Sequence, residues 1–205
     1  MIWRNTVLVA LAMGLMTVLT MGATLQPASA ENAAEVRYNF NKTFKNRAKR
    51  SSYGGKKIVN YRTREKPGTI IIDTSKRRLY YVLKKGKAIR YGVGVGRRGF
   101  QWSGTANVRH KKEWPGWRPP AEMIEREREN GRDLPEYMPG GPKNPLGARA
   151  LYLFKGKRDT LYRIHGTNAP QTIGGAVSSG CIRMINEEVI DLYRRTRMGA
   201  KVIVL

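Results

Sequence analysis

The sequence predicts a mainly β domain carrying one or two short helices, and three observations predict it. From residue 69 onward, short runs of branched and aromatic residues recur, separated by glycine-rich turns. One late stretch carries a complete set of helix start and stop signals. The intervening segment, residues 113–147, is irregular and has room for one short helix only.

The elements follow in order. Thr69-Ile70-Ile71-Ile72-Asp73 and Arg78-Leu79-Tyr80-Tyr81-Val82-Leu83 read as two strands joined by a short polar connection. Lys85-Gly86-Lys87 turns the chain into a third run, residues 88–96. Its Gly92, Gly94 and Gly96 alternate without the spacing of a dinucleotide fingerprint, and no helix pattern follows them. Residues 105–112 read as another strand. Trp, Pro, Gly and charged residues then dominate to Gly147, the composition of a binding loop or lid, and Pro119-Pro120 can open a short helix over residues 121–125. Strands return at 150–154 and 161–164. Asn186 stands where an N-cap belongs, before Glu187 and Glu188, with Arg194, Arg195 and Arg197 at the far end and Gly199 beyond. Residues 202–205 close the chain as a strand.

Ahead of this domain lie two segments of other character. Arg4, an apolar stretch over residues 6–21 and the small residues Ala28-Ser29-Ala30 form the pattern of a secretory signal cleaved after Ala30. The stretch also approaches the length of a membrane anchor, so retention is the alternative. Residues 31–67 are polar and basic, too poor in apolar groups to offset the entropy of ordering, and predict a flexible extension. The domain organisation expected is therefore 1–30 signal, 31–67 basic extension and 68–205 globular domain, in a protein exported to the periplasm or cell envelope.

The chain holds 39 Lys and Arg against 15 Asp and Glu, a formal net charge of +24. Such a charge speaks for adhesion to polyanions and says nothing of fold. For an exported protein the polyanions are envelope polymers and lipid headgroups. Nucleic acid is not expected, because no binding motif accompanies the charge.

Chemistry centres on Cys181, the single cysteine, and on a choice between two histidines. An unpaired cysteine in an oxidising compartment is an inert buried thiol, an intermolecular bridge or a reactive group. His110 sits among Arg109, Lys111 and Lys112 and reads as a surface strand residue. His165 ends an apolar strand where the chain enters a loop, a common mount for reactive groups. Gly180 permits a tight turn before Cys181, and backbone N–H groups there can face a developing oxyanion. A thiol is only slightly ionised at neutral pH and gains from a nearby imidazole. Arg183 can hold a substrate carboxylate, or serve as a surface ion-pair partner.

His165-Gly166-Thr167-Asn168, a spacer, and Ser178-Ser179-Gly180-Cys181-Ile182-Arg183-Met184 together resemble the signature of the L,D-transpeptidase catalytic domain, the YkuD family. Asn144-Pro145-Leu146-Gly147 ahead of Leu151-Tyr152-Leu153 matches as well, and the resemblance covers residues 68–205. It implies a β-sandwich or barrel-like domain that remodels peptidoglycan stem peptides outside the membrane. Cys181 would be the nucleophile and His165 the proton donor and acceptor, oriented by a backbone carbonyl near Gly166. Gly166, Ser179, Gly180, Arg183 and Asn168 would bind substrate or oxyanion, with no metal or other cofactor. Many members carry histidine where this chain has Ser179. The resemblance leaves the acceptor open: the amine of another stem, a lysine of an envelope lipoprotein, an amino acid, or water. A basic wall-adhesion module with a vestigial site is the reading from a different class.

Overall fold

In a computed structural model, Tyr53 and residues 55–205 are described; the expected signal and most of the expected extension lie outside them. The chain forms eleven strands, two α-helices and one 3-10 turn among the described residues. The strands are β1 (Lys57–Asn60), β2 (Ile70–Asp73), β3 (Arg78–Val82), β4 (Lys87–Gly92), β5 (Val95–Gly96) and β6 (Gly104–Glu113). After helix α1 (Ala121–Glu129) come β7 (Arg149–Lys155), β8 (Arg158–His165), β9 (Ala176–Ser178) and β10 (Ile182–Arg183), then helix α2 (Asn186–Arg195) and β11 (Lys201–Val204).

Nine strands join one sheet in the order β1-β4-β3-β2-β11-β6-β7-β8-β10, and β5 and β9 form a second, two-stranded sheet. The fold is mainly β, as the sequence predicts. Ile70, Ile71 and Ile72 are buried along their whole length because β2 lies between β3 and β11. β6 turns Ala106 and Val108 inward and β7 turns Leu151 and Leu153 inward, while Ala150 is buried on the other side of β7. One cluster joins apolar residues of β2, β3, β4, β6, β7, β8, β10 and β11 with Val189 and Leu192 of α2, so the sheet curls around a common core closed by that helix.

Antiparallel hairpins account for β2–β3–β4 and β7–β8, whereas β2–β11, β8–β10 and β5–β9 are parallel pairs. Parallel neighbours need long connections, which is why residue patterning along a single run does not announce them.

Within the expected extension, residues 55–60 dock on the domain. Residues 57–60 pair antiparallel with β4, the Gly55 amide donates to Glu188 Oε1 at 3.0 Å, and Lys56 Nζ reaches Asp191 at 2.7 Å. The Tyr53 ring lies under the Arg78 guanidinium. Backbone pairing to an open sheet edge needs no apolar face of its own, so this polar segment docks despite its composition.

Two helix expectations change in detail. α1 continues to Glu129, held on its outer face by Arg128–Glu125 and Arg132–Glu127 ion pairs. In α2 the N-cap is Ile185, which makes no side-chain capping bond; Asn186, expected as the cap, is the first helical residue, and its side chain bonds to Ala148 and Thr167 instead. No described helix is long and apolar enough to cross a membrane.

Candidate active site

β8 and β10 build the site. Their parallel register pairs Ile182 with Ile164 and Arg183 with His165. Ile164 and Ile182 face the core, so alternation sends His165 and Arg183 to the opposite face. Two residues before Arg183 and His165, Cys181, just ahead of β10, meets Arg163. The Arg163 N–H and the Leu161 carbonyl oxygen, 3.9 Å away, both contact the Cys181 thiol. A bulge in β8 sets this up: the register to β7 slips between Tyr152 and Phe154, and Leu161 adopts a φ of 62°. Asp159 fixes the bulge by accepting from the Leu161 amide and pairing with both Arg163 guanidinium nitrogens.

The turn into Cys181 is equally constrained. Gly180 has a φ of 111°, and a side chain there would strike the Tyr162 ring and the Phe100 carbonyl. Tyr162 in turn stacks on Trp102 at 4.8 Å. Ser178 braces the turn from below: its hydroxyl donates to the Cys181 carbonyl at 2.6 Å and accepts from the Gly180 amide at 3.2 Å. Gly180 N–H is thereby committed, while the Cys181 N–H has no protein acceptor among the described residues. Ser179 is exposed beside it.

His165 is 4% exposed, and its Nδ1 lies 2.6 Å from the Gly166 carbonyl oxygen. A carbonyl can only accept, so Nδ1 carries the proton and Nε2 is left as the acceptor. The Leu146 carbonyl, at the end of the irregular segment, faces the same ring. Burial pulls the His165 pKa down to about 4, helped by the Arg183 and Arg163 charges and opposed by the two carbonyls. Burial likewise raises the Cys181 thiol above its ordinary value, against the lowering effect of the Arg163 amide and both arginines. The resting pair is a neutral thiol and a neutral imidazole.

The loop after His165 is held by Asn186. Its Oδ1 accepts from Ala148 N at 2.9 Å and Thr167 N at 3.2 Å, and its Nδ2 donates to the Thr167 carbonyl at 3.0 Å. A Cβ on Gly147 or Gly166 would collide with that Oδ1, so both positions require glycine. Gly166 therefore serves the imidazole through its carbonyl, while its amide donates to Arg149 O. The Gly166 amide is thus engaged within the protein, as the Gly180 amide is by Ser178. Asn168 donates to the Lys143 carbonyl at 2.7 Å and ties the irregular segment to this loop.

Arg183 is half-buried, forms no ion pair among the described residues, and has a buried Nε without a partner. The surface ion-pair alternative is not what the fold adopts. His110 is exposed on β6, edge-on to Tyr152 and away from the thiol. Sequence reasoning missed Ser178, Asn186, Arg163 and the carbonyls of Leu146 and Leu161. Ser178 and Asn186 lie in or next to the motif, but a bracing side chain looks the same in sequence as a cap or a surface hydroxyl. No group of three or more potential metal-binding side chains occurs among the described residues.

The L,D-transpeptidase catalytic domain (YkuD) model matches residues 67–204, and the chain belongs to that family. It is 39% identical over 138 residues to the probable L,D-transpeptidase YbiS of Escherichia coli K12; the match covers 65% of this chain and 43% of that relative. The chain thus spans less than half the length of the curated relative it matches. A crystal structure from Brucella melitensis, described as a probable carnitine operon oxidoreductase, is 49% identical, covers 78% of this chain and 99% of that one, and has a TM-score of 0.51. Its oxidoreductase name belongs to that protein; here Gly92 ends β4, Gly94 bridges to Arg183 and Gly96 ends β5, without the strand-to-helix turn of a dinucleotide site. The Ldtfm–avibactam carbamoyl enzyme shares the fold at 16% identity and a TM-score of 0.52, covering 69% of this chain and 49% of that one.

Proposed function

We propose that the chain is an exported cysteine L,D-transpeptidase that acts on tetrapeptide stems of peptidoglycan through a Cys181 thioester. The observation that carries this reading is the parallel register of β8 and β10, which sets the unpaired Arg183 level with His165, whose Nδ1 bonds to the Gly166 carbonyl, and puts the Cys181 thiol against Arg163, two residues from His165 in the same strand. Family membership supports it.

In this reading Nε2 of His165 takes the thiol proton as Sγ attacks the carbonyl carbon before the terminal D-alanine. The Cys181 N–H faces the developing oxyanion. Collapse of the tetrahedral species breaks the C–N bond, the imidazolium returns its proton to the departing amine, and D-alanine leaves. An acceptor amine then attacks the thioester carbonyl and gives its proton to Nε2, and Cys181 is released as the thiol. A side-chain amine of a second stem gives a 3→3 cross-link, a lysine of an envelope lipoprotein gives a protein–peptidoglycan link, and water gives a carboxypeptidase. Arg183 holds a carboxylate of the stem, with Ser179 at the rim. The Gly166 and Leu146 carbonyls stabilise the imidazolium when it forms, the task an acidic side chain performs in other triads. The basic segment ahead of the domain adheres to anionic envelope polymers.

Mass spectrometry of muropeptides after incubation with the wild type and with Cys181→Ser tests the reading. Cross-linked or exchanged stems should appear with the wild type and vanish in the variant. Identical product profiles would sink it.

A further inference from the structure

A second site lies far from the thiol. A cavity of about 910 Å³ opens between the chain entering β2, the β3–β4 turn and the segment joining α2 to β11. From Lys201 to the strand of Arg183 the sheet crosses β6, β7 and β8, four strand spacings or roughly 19 Å along its surface. Cys181 and this cavity are therefore separate.

The cavity wall is built from cations that come from distant parts of the sequence: Arg64, Lys66, Lys84, Arg195, Arg197 and Lys201. Glu65 is the one acid among them, and Lys201 already neutralises it at 2.8 Å. Arg195 is held by Asp191. Arg64, Lys66, Lys84 and Arg197 are exposed and have no ion-pair partner among the described residues. Four like charges converging on one concavity repel each other and focus positive potential into it. A counter-anion of high charge density relieves that repulsion. The floor is not purely polar: Tyr81, Leu83 and Met198 also line it, and Met198 is 58% exposed. The Tyr81 hydroxyl is already bonded to the Arg195 carbonyl, so the ring and the Met198 thioether are what this part of the lining offers a ligand. Apolar surface ringed by cations fits a sugar face flanked by phosphates better than a bare anion.

We infer that this cavity is a binding site for a phosphate-bearing glycan of the envelope, which holds the domain on its polymer while Cys181 works elsewhere. The inference does not depend on the reaction at Cys181. It gives the excess charge of this chain a defined address in addition to the basic segment before the domain.

Binding of the full chain to phosphorylated dextran, unmodified dextran, inorganic tripolyphosphate and phosphatidylglycerol vesicles tests it at physiological salt. The variant Arg64→Gln/Lys66→Gln/Lys84→Gln/Arg197→Gln removes the four unpaired charges without touching a described ion pair. Arg109→Gln/Lys112→Gln/Lys155→Gln/Lys157→Gln removes the same net charge from exposed positions elsewhere. The wild type should bind phosphorylated dextran more tightly than tripolyphosphate at equal phosphate, and unmodified dextran not at all. The cavity variant should lose about tenfold or more in affinity, on the order of one charge-assisted contact, and the control less than about twofold. Equal losses in the two variants would mean diffuse charge and overturn the inference. So would equal affinity for tripolyphosphate, or retention on vesicles alone. Cys181→Ala should keep glycan binding, and the cavity variant should keep thiol acylation, so the two readings fail separately.

Discussion

Asn186→Ala removes a side chain that makes three hydrogen bonds and is 1% exposed. The change orphans two backbone N–H groups, of Ala148 and Thr167, and the Thr167 carbonyl. At about 1 kcal/mol each, the loss is on the order of 3 kcal/mol. For a domain of this size that lowers the melting temperature by about 6–12 °C. The functional consequence runs through Gly166. Its carbonyl holds His165 Nδ1 at 2.6 Å, and its position depends on the loop that Asn186 clamps. A base displaced by about 1 Å costs on the order of a hundredfold in rate. Thermal unfolding gives the first number. Stopped-flow acylation by a carbapenem, well below the variant's melting temperature, gives the second. ¹⁵N NMR of the imidazole reports the tautomer directly: the wild type should show Nδ1–H, and the variant a mixture. Unchanged melting together with an unchanged tautomer would refute the clamp. Lost stability with an intact tautomer and full acylation would leave Asn186 a purely structural residue.

The remaining predictions concern protons. With His165 lowered to about 4 and the thiol raised, the reactive form is the neutral pair, so acylation should be nearly flat between pH 5 and 8; an acid limb near pH 6.5 in the pH–rate profile would mean a resting ion pair instead. Glu188 is buried and raised from 4.5 to about 7, chiefly by desolvation and against the Gly55 N–H bond, with Glu187 adding to the rise and Lys56 and Arg78 opposing it. A raised carboxyl binds more protons folded than unfolded, so its contribution is fully present below pH 4.5 and is lost as pH rises through 7, by up to about 3 kcal/mol. Denaturant unfolding at pH 5 and pH 8 should show this slope in the wild type and a smaller one in Glu188→Gln; equal slopes would count against it.

The strands with alternating or continuous apolar runs were readable because burial on a sheet imposes a period of two on the sequence itself. Cys181, His165, Gly180 and Arg183 were readable because their residue types and spacing are distinctive. The two-residue strand β10 and three-residue β9 were not, since so few residues carry no period. Ser178 and Asn186 were invisible for a different reason. An Asn before two acids on a helix start has the local chemistry of a cap, and only the approach of Ala148 and Thr167 from elsewhere turns it inward. The docking of residues 55–60 escaped composition because a polar strand can be held by backbone bonds and two carboxylates that come from α2.

By itself, the sequence determined the mainly β class and the family and singled out Cys181 and His165 as the candidate reactive side chains, because these depend on local pattern and residue chemistry. Tertiary structure alone decided that β10 runs parallel to β8, so that Arg183 sits level with His165 and Cys181 faces Arg163. It also decided which amides near Cys181 are already hydrogen-bonded, which carbonyls hold the imidazole, and that cations from three segments meet in one cavity. Those are relations between residues up to 137 positions apart, as for Arg64 and Lys201, and only folding brings such residues together.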